Sequence, residues 1–423
     1  MRLQLGTFPV QDIKFGTRTQ WRDGLLEIDE AGILDAVKAD PRIASAELRL
    51  AKPGDSLRIT RIHDVVEPRI KVAGSGSVYP GICGRSSVTV GSGRTHRLQG
   101  MGVVSVGEID SGRPGARADY SFLDMMEPGA AATPYGSLQN LCVIAKPEMS
   151  LTREEQAYTL ENAALVVADQ IAATTLGLEP PEIEEFSNAV VDPSLPRVVY
   201  ICAFNSPQHF AASLTAYGTA IYGFTRQTPP WVLHPNELLD GAICARNSWM
   251  LVNNPSVLNL YRGHGSEVNF VGCIAIRTRW SSQSDKDVTS LQAAKMASML
   301  NADGAIVTWD AAGNDFLEVI RTVQACENLG IKTVFITPEE HPDIDGPPVL
   351  EPLPEARAIV SAGVGLERRW IDDPVPAPEQ VIGPSELIDD ANTFEGVVSA
   401  FDPLPSPRWV DHYGFGRKTG FDY

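Results

Sequence analysis

At 423 residues the chain is longer than one hydrophobic core usually organises, so two or three domains are expected. Its apolar fraction of 43% and charged fraction of 21% are those of a globular protein, and no run of about 18 apolar residues offers a membrane span. The net charge of −18 argues against a nucleic-acid partner, which needs a basic face, and is compatible with a basic protein partner.

The first residues, Met1-Arg-Leu-Gln-Leu-Gly6, have no long apolar stretch of the signal-peptide kind, so a cytoplasmic location is expected. The six cysteines (Cys83, Cys142, Cys202, Cys244, Cys273, Cys326) lie singly, with no C-x-x-C pair. That excludes a zinc ribbon or a thioredoxin-type motif and gives no reason to expect a disulfide framework. Cys142 in Leu-Cys-Val-Ile and Cys273 in Val-Gly-Cys-Ile read as small core hydrophobes.

Residues 1–148 read as a β-rich domain with one short helix at Ala31 to Ala39. Glu47-Leu-Arg-Leu, Leu57-Arg-Ile-Thr-Arg-Ile and Arg69-Ile-Lys-Val alternate with period two, as half-buried strands do. Gly102-Val-Val-Ser-Val-Gly and Leu141-Cys-Val-Ile-Ala suit buried strands. A helix is predicted from Thr152, whose hydroxyl and following acidic residues form a capping sequence, to a stop at Gly177.

Residues 149–375 then alternate strand and crossover. Strands are predicted at Val198 to Phe204, Asn269 to Ile276, Gly304 to Thr308, Lys332 to Thr337 and Ala358 to Gly363, with helices at Val288 to Leu300 and Phe316 to Leu329. The fold class expected is therefore α/β, a β-rich N-terminal domain followed by a parallel-sheet, Rossmann-like α/β region. Proline is dense between Pro338 and Pro384, and residues 376–423 read as a C-terminal extension.

Several short motifs could carry chemistry. In Gly91-Ser-Gly-Arg-Thr-His96 the glycines allow backbone N–H groups to approach an anion. Ser92 and Arg94 could then hold a carboxylate, and His96 could transfer a proton; a tight turn needs the same glycines. Gly313-Asn314-Asp315 follows a strand, where an open α/β sheet binds ligands, but Asn314 and Asp315 equally suit a helix start. His264, in Arg-Gly-His-Gly, could face the same cleft or satisfy a backbone bond. Gly74-Ser-Gly-Ser and Gly363-Val-Gly lack the full dinucleotide fingerprint, so no NAD site is expected. His209, His234, His341 and His412 have no ligand spacing, so no metal is expected.

A resemblance extends over most of the chain. His63-Asp-Val-Val-Glu-Pro-Arg-Ile-Lys-Val, Val78-Tyr-Pro-Gly-Ile, Val90-Gly-Ser-Gly-Arg-Thr-His-Arg-Leu-Gln-Gly, Leu239-Asp-Gly-Ala-Ile, Asn253-Asn-Pro, Leu260-Tyr-Arg-Gly-His-Gly, Val268-Asn-Phe-Val-Gly, Ala302-Asp-Gly-Ala-Ile-Val, Gly313-Asn-Asp and Gly330-Ile-Lys-Thr-Val-Phe-Ile-Thr look like the corresponding stretches of one family. That family is the pyruvoyl precursor subunit of glycine, sarcosine and betaine reductase component B.

The resemblance implies that Leu239 to Asn254 corresponds to the segment where the precursor splits itself at a cysteine, here Cys244. The cleavage leaves a pyruvoyl carbonyl on the new N-terminus, which condenses with the substrate amine. Cys244-Ala-Arg-Asn-Ser248 follows the family's order of residue types, but the stretch before Cys244 is shorter, by roughly one to two helical turns. The implied catalytic residues are Cys244, His96 and Asp315, and the implied substrate-binding residues are Ser92, Arg94, His264 and Asn314.

The implied activity is reductive C–N cleavage of a small amino compound, completed by a separate selenocysteine- or cysteine-containing reductase subunit, so a hetero-oligomer is expected. The alternative is an unprocessed, pyruvoyl-free relative that acts as a scaffold or binding subunit.

Overall fold

The computed structural model describes residues 1–79, 88–107, 109, 122–204, 220–221, 230–244, 248–278, 282–309, 315–338, 353–362, 376–383, 386–388, 397–399, 413–415 and 419–421. Strand β1 (Arg2–Pro9) opens the chain, followed by a small sheet of β2 (Asp12–Gly16), β3 (Gln20–Arg22) and β4 (Leu25–Asp29). Helix α1 (Glu30–Lys38) starts where the Asp29 carboxylate accepts from Gly32 N at 3.2 Å.

Next come β5 (Ile43–Ala51), β6 (Leu57–Thr60), β7 (Ile62–Val66), β8 (Arg69–Ala73), β9 (Gly93–Gln99), β10 (Met101–Val106), β11 (Phe122–Asp124) and β12 (Gln139–Pro147). Helix α2 (Arg153–Ala172) begins in the expected capping box, with Thr152 and Glu155 each bonding the other's backbone N–H. Its buried Ala157, Leu160, Ala164, Val167 and Ile171 pack over β7, β10 and β12, and β13 (Glu182–Ser187) pairs antiparallel with β1. Elements beyond residue 148 thus complete the N-terminal sheets, whose orders are β13-β1-β9-β8 and β5-β12-β10-β7.

The second half runs β14 (Arg197–Phe204), β15 (Ala220–Ile221), β16 (Trp231–Leu233), α3 (Pro235–Leu239), β17 (Ile243–Cys244), α4 (Ser248–Val252), α5 (Pro255–Gly263), β18 (Asn269–Arg277), α6 (Gln283–Met299), β19 (Gly304–Trp309), α7 (Phe316–Asn328), β20 (Lys332–Thr337), β21 (Ile359–Ser361) and β22 (Gln380–Ile382). The main sheet has the order β16-β18-β14-β19-β20-β21 and ends on the strand Thr419–Phe421; pairing is parallel from β18 to β21 and antiparallel at both edges.

Both faces of this sheet are buried, which is why β14 reads as one continuous apolar run. Val199, Ile201 and Ala203 pack with Ala293, Val319 and Ile320 of α6 and α7. Tyr200, Cys202 and Phe204 turn to the other side, against Leu238, Met250, Leu251 and Val257 of α3–α5. The architecture is mixed α/β. Among the described residues no helix is long and apolar enough to cross a membrane.

Leu57 to Ile62, expected as one half-buried strand, is divided at Arg61, where φ is +57°. The break sends β6 into a sheet with β11 and β22, and β7 into the sheet of β10. Arg58 enters the core because Asp124 meets it with two bonds, Nε to Oδ1 at 2.6 Å and Nη2 to Oδ2 at 2.8 Å, while its guanidinium lies 4.3 Å over the Phe122 ring. Replacing Asp124 by Ala strips a buried cation of that carboxylate and should cost about 3–5 kcal/mol in urea unfolding, whereas Arg58→Met with Asp124→Leu should cost far less.

Candidate functional site

The described parts of the Leu239 to Asn254 segment lie between the N-terminal sheets and the parallel sheet, and buried polar side chains hold them on both sides of Cys244. Upstream, α3 is capped by His234, whose Nδ1 accepts from Asn236 N at 3.1 Å while Glu237 accepts from His234 N. Asp240 ends the helix, fully buried, and accepts from Gly91 N at 2.7 Å, from Thr95 Oγ1 at 2.5 Å and from Lys71 Nζ. Gly241 then turns the chain with φ +79°, and a Cβ there would lie 2.8 Å from Val78 Cγ1, so only glycine fits. The chain enters β17, where Cys244 pairs with Ala220.

Arg69 brackets the segment. Its guanidinium, fully buried, takes Glu67 as ion-pair partner, with Nε 2.7 Å from Oε2. It also donates to the carbonyl of Leu239 before Cys244 and, at 3.3 Å, to that of Val252 after it, with Asn253 Oδ1 at 3.4 Å. Between these points, Ser248 N donates to Asp64 Oδ1 at 2.9 Å. Asp64 is hydrogen-bonded to Glu161 of α2, and burial first, then the Glu161 charge, raises its pKa well above the carboxylate range. Downstream, Asn254 caps α5 through Val257 N at 3.1 Å and donates to Tyr200 OH at 2.9 Å, which in turn meets Thr308 Oγ1 at 2.6 Å.

The arrangement can hold one stretch of main chain fixed, keep it dry and exchange a proton with it. A match to the family described as glycine/sarcosine/betaine reductase component B subunits covers residues 1–400. The chain belongs to this family. It is 31% identical over 414 residues to the sarcosine reductase complex component B subunit alpha of Peptoclostridium acidaminophilum, covering 94% of this chain and 92% of that one. The glycine reductase complex component B subunits alpha and beta of the same organism are 32% identical, covering 95% and 94%. Its betaine reductase complex component B subunit alpha is 34% identical, covering 86% and 84%. No solved structure matches.

The residues singled out from the sequence of this component B family member are dispersed. Ser92 and Arg94 sit at the partly exposed start of β9; Arg94 donates to Gln4 Oε1 at 3.1 Å, and Ser92 Oγ is 3.5 Å from Ser75 Oγ. His96, on the same strand face as Arg94, is buried and turns away from Asp240. Its Nδ1 lies 3.2 Å from Thr175 O, its ring packs on Phe8, and burial lowers its pKa. Thr95, on the opposite face, is the residue that reaches Asp240.

His264 uses both ring nitrogens on backbone groups, Nδ1 accepting from Phe270 N at 3.0 Å and Nε2 lying 2.9 Å from Ala189 O. Asp315 is buried at the start of α7, and its side chain makes no capping bond there. Asn314 lies outside the described residues, and Cys244 is described in its backbone alone.

Sequence reasoning passed over Asp64, Arg69, Lys71, Thr95, Glu161, Asp240 and Ser248. The available signal was Asp64-Val-Val-Glu-Pro-Arg-Ile-Lys71, two acids and then two bases set among apolar residues.

The raised pKa of Asp64 has a stability consequence. The folded state retains a proton that the unfolded chain releases, so this contribution is fully present below the ordinary Asp range and is lost as pH rises through the raised folded value. Asn imitates the neutral acid. Asp64→Asn should therefore gain stability relative to the parent as pH rises above the ordinary Asp range, seen as a widening Tm difference.

Proposed function

We propose that this chain is a component B-like subunit of a glycine/sarcosine/betaine-type reductase complex, acting in reductive cleavage of a C–N bond in a small amino compound. The observation that carries this reading is the family match over residues 1–400, which spans the segment around Cys244 held by Arg69 and Asp240. A pyruvoyl group formed at position 244 would supply an electrophilic carbonyl toward an amine.

The surroundings fit such a group. Ile243 is 1% exposed, Leu239 and Val252 are pinned by one guanidinium, and the Asp64–Glu161 pair lies at Ser248.

The chemistry also calls for a reductant. Cys142, Cys273 and Cys326 are buried, and burial raises each thiol, which makes them poor nucleophiles. The relatives are named as component B subunits of reductase complexes, which supports a separate selenocysteine- or cysteine-containing subunit and a hetero-oligomer. We further read the chain as a β-rich domain over 1–148, a Rossmann-like α/β region over 149–375 and an extension over 376–423. The shortened stretch before Cys244 favours a second reading, an unprocessed relative that binds a partner reductase without a pyruvoyl group.

Denaturing intact mass, with a carbonyl-reactive hydrazide added to half the sample, separates the two. Scaled from 45.8 kDa for 423 residues, processing yields fragments of about 26 and about 20 kDa, the smaller beginning at position 244 and carrying the label. The same measurement on Cys244→Ala should give one unlabelled chain. A single unlabelled wild-type chain overturns the pyruvoyl reading in favour of the second.

A further inference from the structure

We propose that His234 and His264 form a pH-sensitive clasp on the strap of residues 188–195, which joins an N-terminal sheet to the parallel sheet. The strap follows the end of β13 at Ser187 and leads into β14 at Arg197. His234 stands just before α3 and His264 just after α5, so the two rings sit at the outer ends of these helices. Each holds one of two neighbouring strap residues. His234 Nε2 lies 2.6 Å from Asn188 Oδ1, and His264 Nε2 lies 2.9 Å from Ala189 O. Further along, Asn269 Nδ2 donates to Asp192 O at 2.7 Å and to Leu195 O at 3.1 Å. Gly265 turns with φ +78°, and a Cβ there would lie 3.0 Å from Val191 Cγ2, so the strap sits tightly against that turn.

The bonds at the other ring nitrogens fix the protonation state. His234 Nδ1 accepts from Asn236 N at 3.1 Å, capping α3, and His264 Nδ1 accepts from Phe270 N at 3.0 Å. A backbone N–H can only donate, so each Nδ1 keeps its lone pair and each Nε2 carries the hydrogen. Both histidines are therefore held as the same neutral tautomer. A second proton would have to go on Nδ1, where it meets an N–H and ends that bond. Both rings are partly exposed, so protons reach them. The charged groups at His234 are the Met1 ammonium, 3.4 Å from Nε2, and Glu237 of α3, which accepts from His234 N. Around His264, Arg262 turns to Asn259, Glu267 lies toward Gly263, and Asp192 of the strap accepts from Ser194. Burial first, then the Met1 ammonium, lowers the His234 pKa to about 4. The folded state thus binds fewer protons than the unfolded chain, so this contribution to stability is present above the ordinary histidine range and lost as pH falls to about 4. Protonation of the two rings frees Asn188 and Ala189 together and uncaps α3, the helix that ends at Asp240.

The test is hydrogen–deuterium exchange of the full chain from neutral pH down to about pH 4, with rates corrected for the intrinsic pH dependence of amide exchange. Peptides from the strap and α3 are compared with peptides from α2. Wild type is set beside the double variant His234→Asn, His264→Asn, because asparagine still offers an acceptor to a neighbouring backbone N–H but neither titrates nor reaches the strap. Wild-type protection of the strap and α3 should fall about tenfold or more across this range while α2 keeps its own. In the double variant the strap should exchange fast already at neutral pH and show no further pH dependence. His264→Asn alone, which leaves the α3 cap in place, should loosen the strap at neutral pH and leave α3 protected.

Wild-type strap protection that is constant with pH, or that falls only together with α2, overturns the clasp. So does strap protection equal to wild type at neutral pH in the folded double variant or, where that variant does not fold, in His264→Asn.

Discussion

A guanidinium with no access to water needs its charge and its donors satisfied from inside the protein, and Arg69 obtains both from groups far apart in sequence. Glu67 supplies the counter-charge two residues away on the same stretch, while the carbonyls of Leu239 and Val252 supply acceptors from beyond the middle of the chain. The planar fork is what makes this possible, since several donors leave one group in fixed directions; a lysine would offer a single point charge and could not bridge both carbonyls. Because Arg69 needs both carbonyls, its burial ties Leu239 to Val252, the two ends between which Cys244 lies.

Two other buried contacts extend this control. Asp240 draws together Lys71, Thr95 and the Gly91 amide, locking the turn of β8 and β9 to the end of α3. Asn254 reaches Tyr200 and, through it, Thr308, so the downstream end of the segment is referenced to β14 and β19 of the parallel sheet. Burial pushes the Tyr200 hydroxyl well above its ordinary pKa, so it stays neutral and serves as a fixed hydrogen-bonding post. The segment is therefore an interface element in the physical sense: each half of the molecule satisfies polar groups of the other, and neither set of bonds would exist without the other half.

How much of this the sequence revealed follows from range. The strands β14, β18, β19 and β20 and the helix α2 were legible because each is a local signal, an apolar run or a capping box read within a few residues. Helices α3 to α5 were not read, since they span five, five and nine residues and two begin at a proline, leaving little periodicity to find. The break at Arg61 was hidden by an alternation that looked like one strand, because nothing local announces that Arg58 has a partner 66 residues away in Asp124. The polar cradle failed for the same reason. Glycine-flanked Arg94 and His96 drew notice as a motif, whereas Thr95 between them, an unremarkable residue in sequence, is the one whose face the sheet turns toward Asp240.

Anchoring also bears on what the proposed pyruvoyl chemistry would ask of the segment around Cys244. In a long, loosely held loop, an attack by a side chain on its own preceding carbonyl must overcome the entropy of many alternative conformations. Here Leu239 and Asp240 are pinned before Cys244, and Ser248 and Val252 after it. Under the pyruvoyl reading, the work of positioning would fall on such anchors rather than on loop length. The proposed chemistry would require the carbonyl of Ile243 and the thiol of Cys244 to approach, and Arg69 is the buried group that holds the chain before and after them.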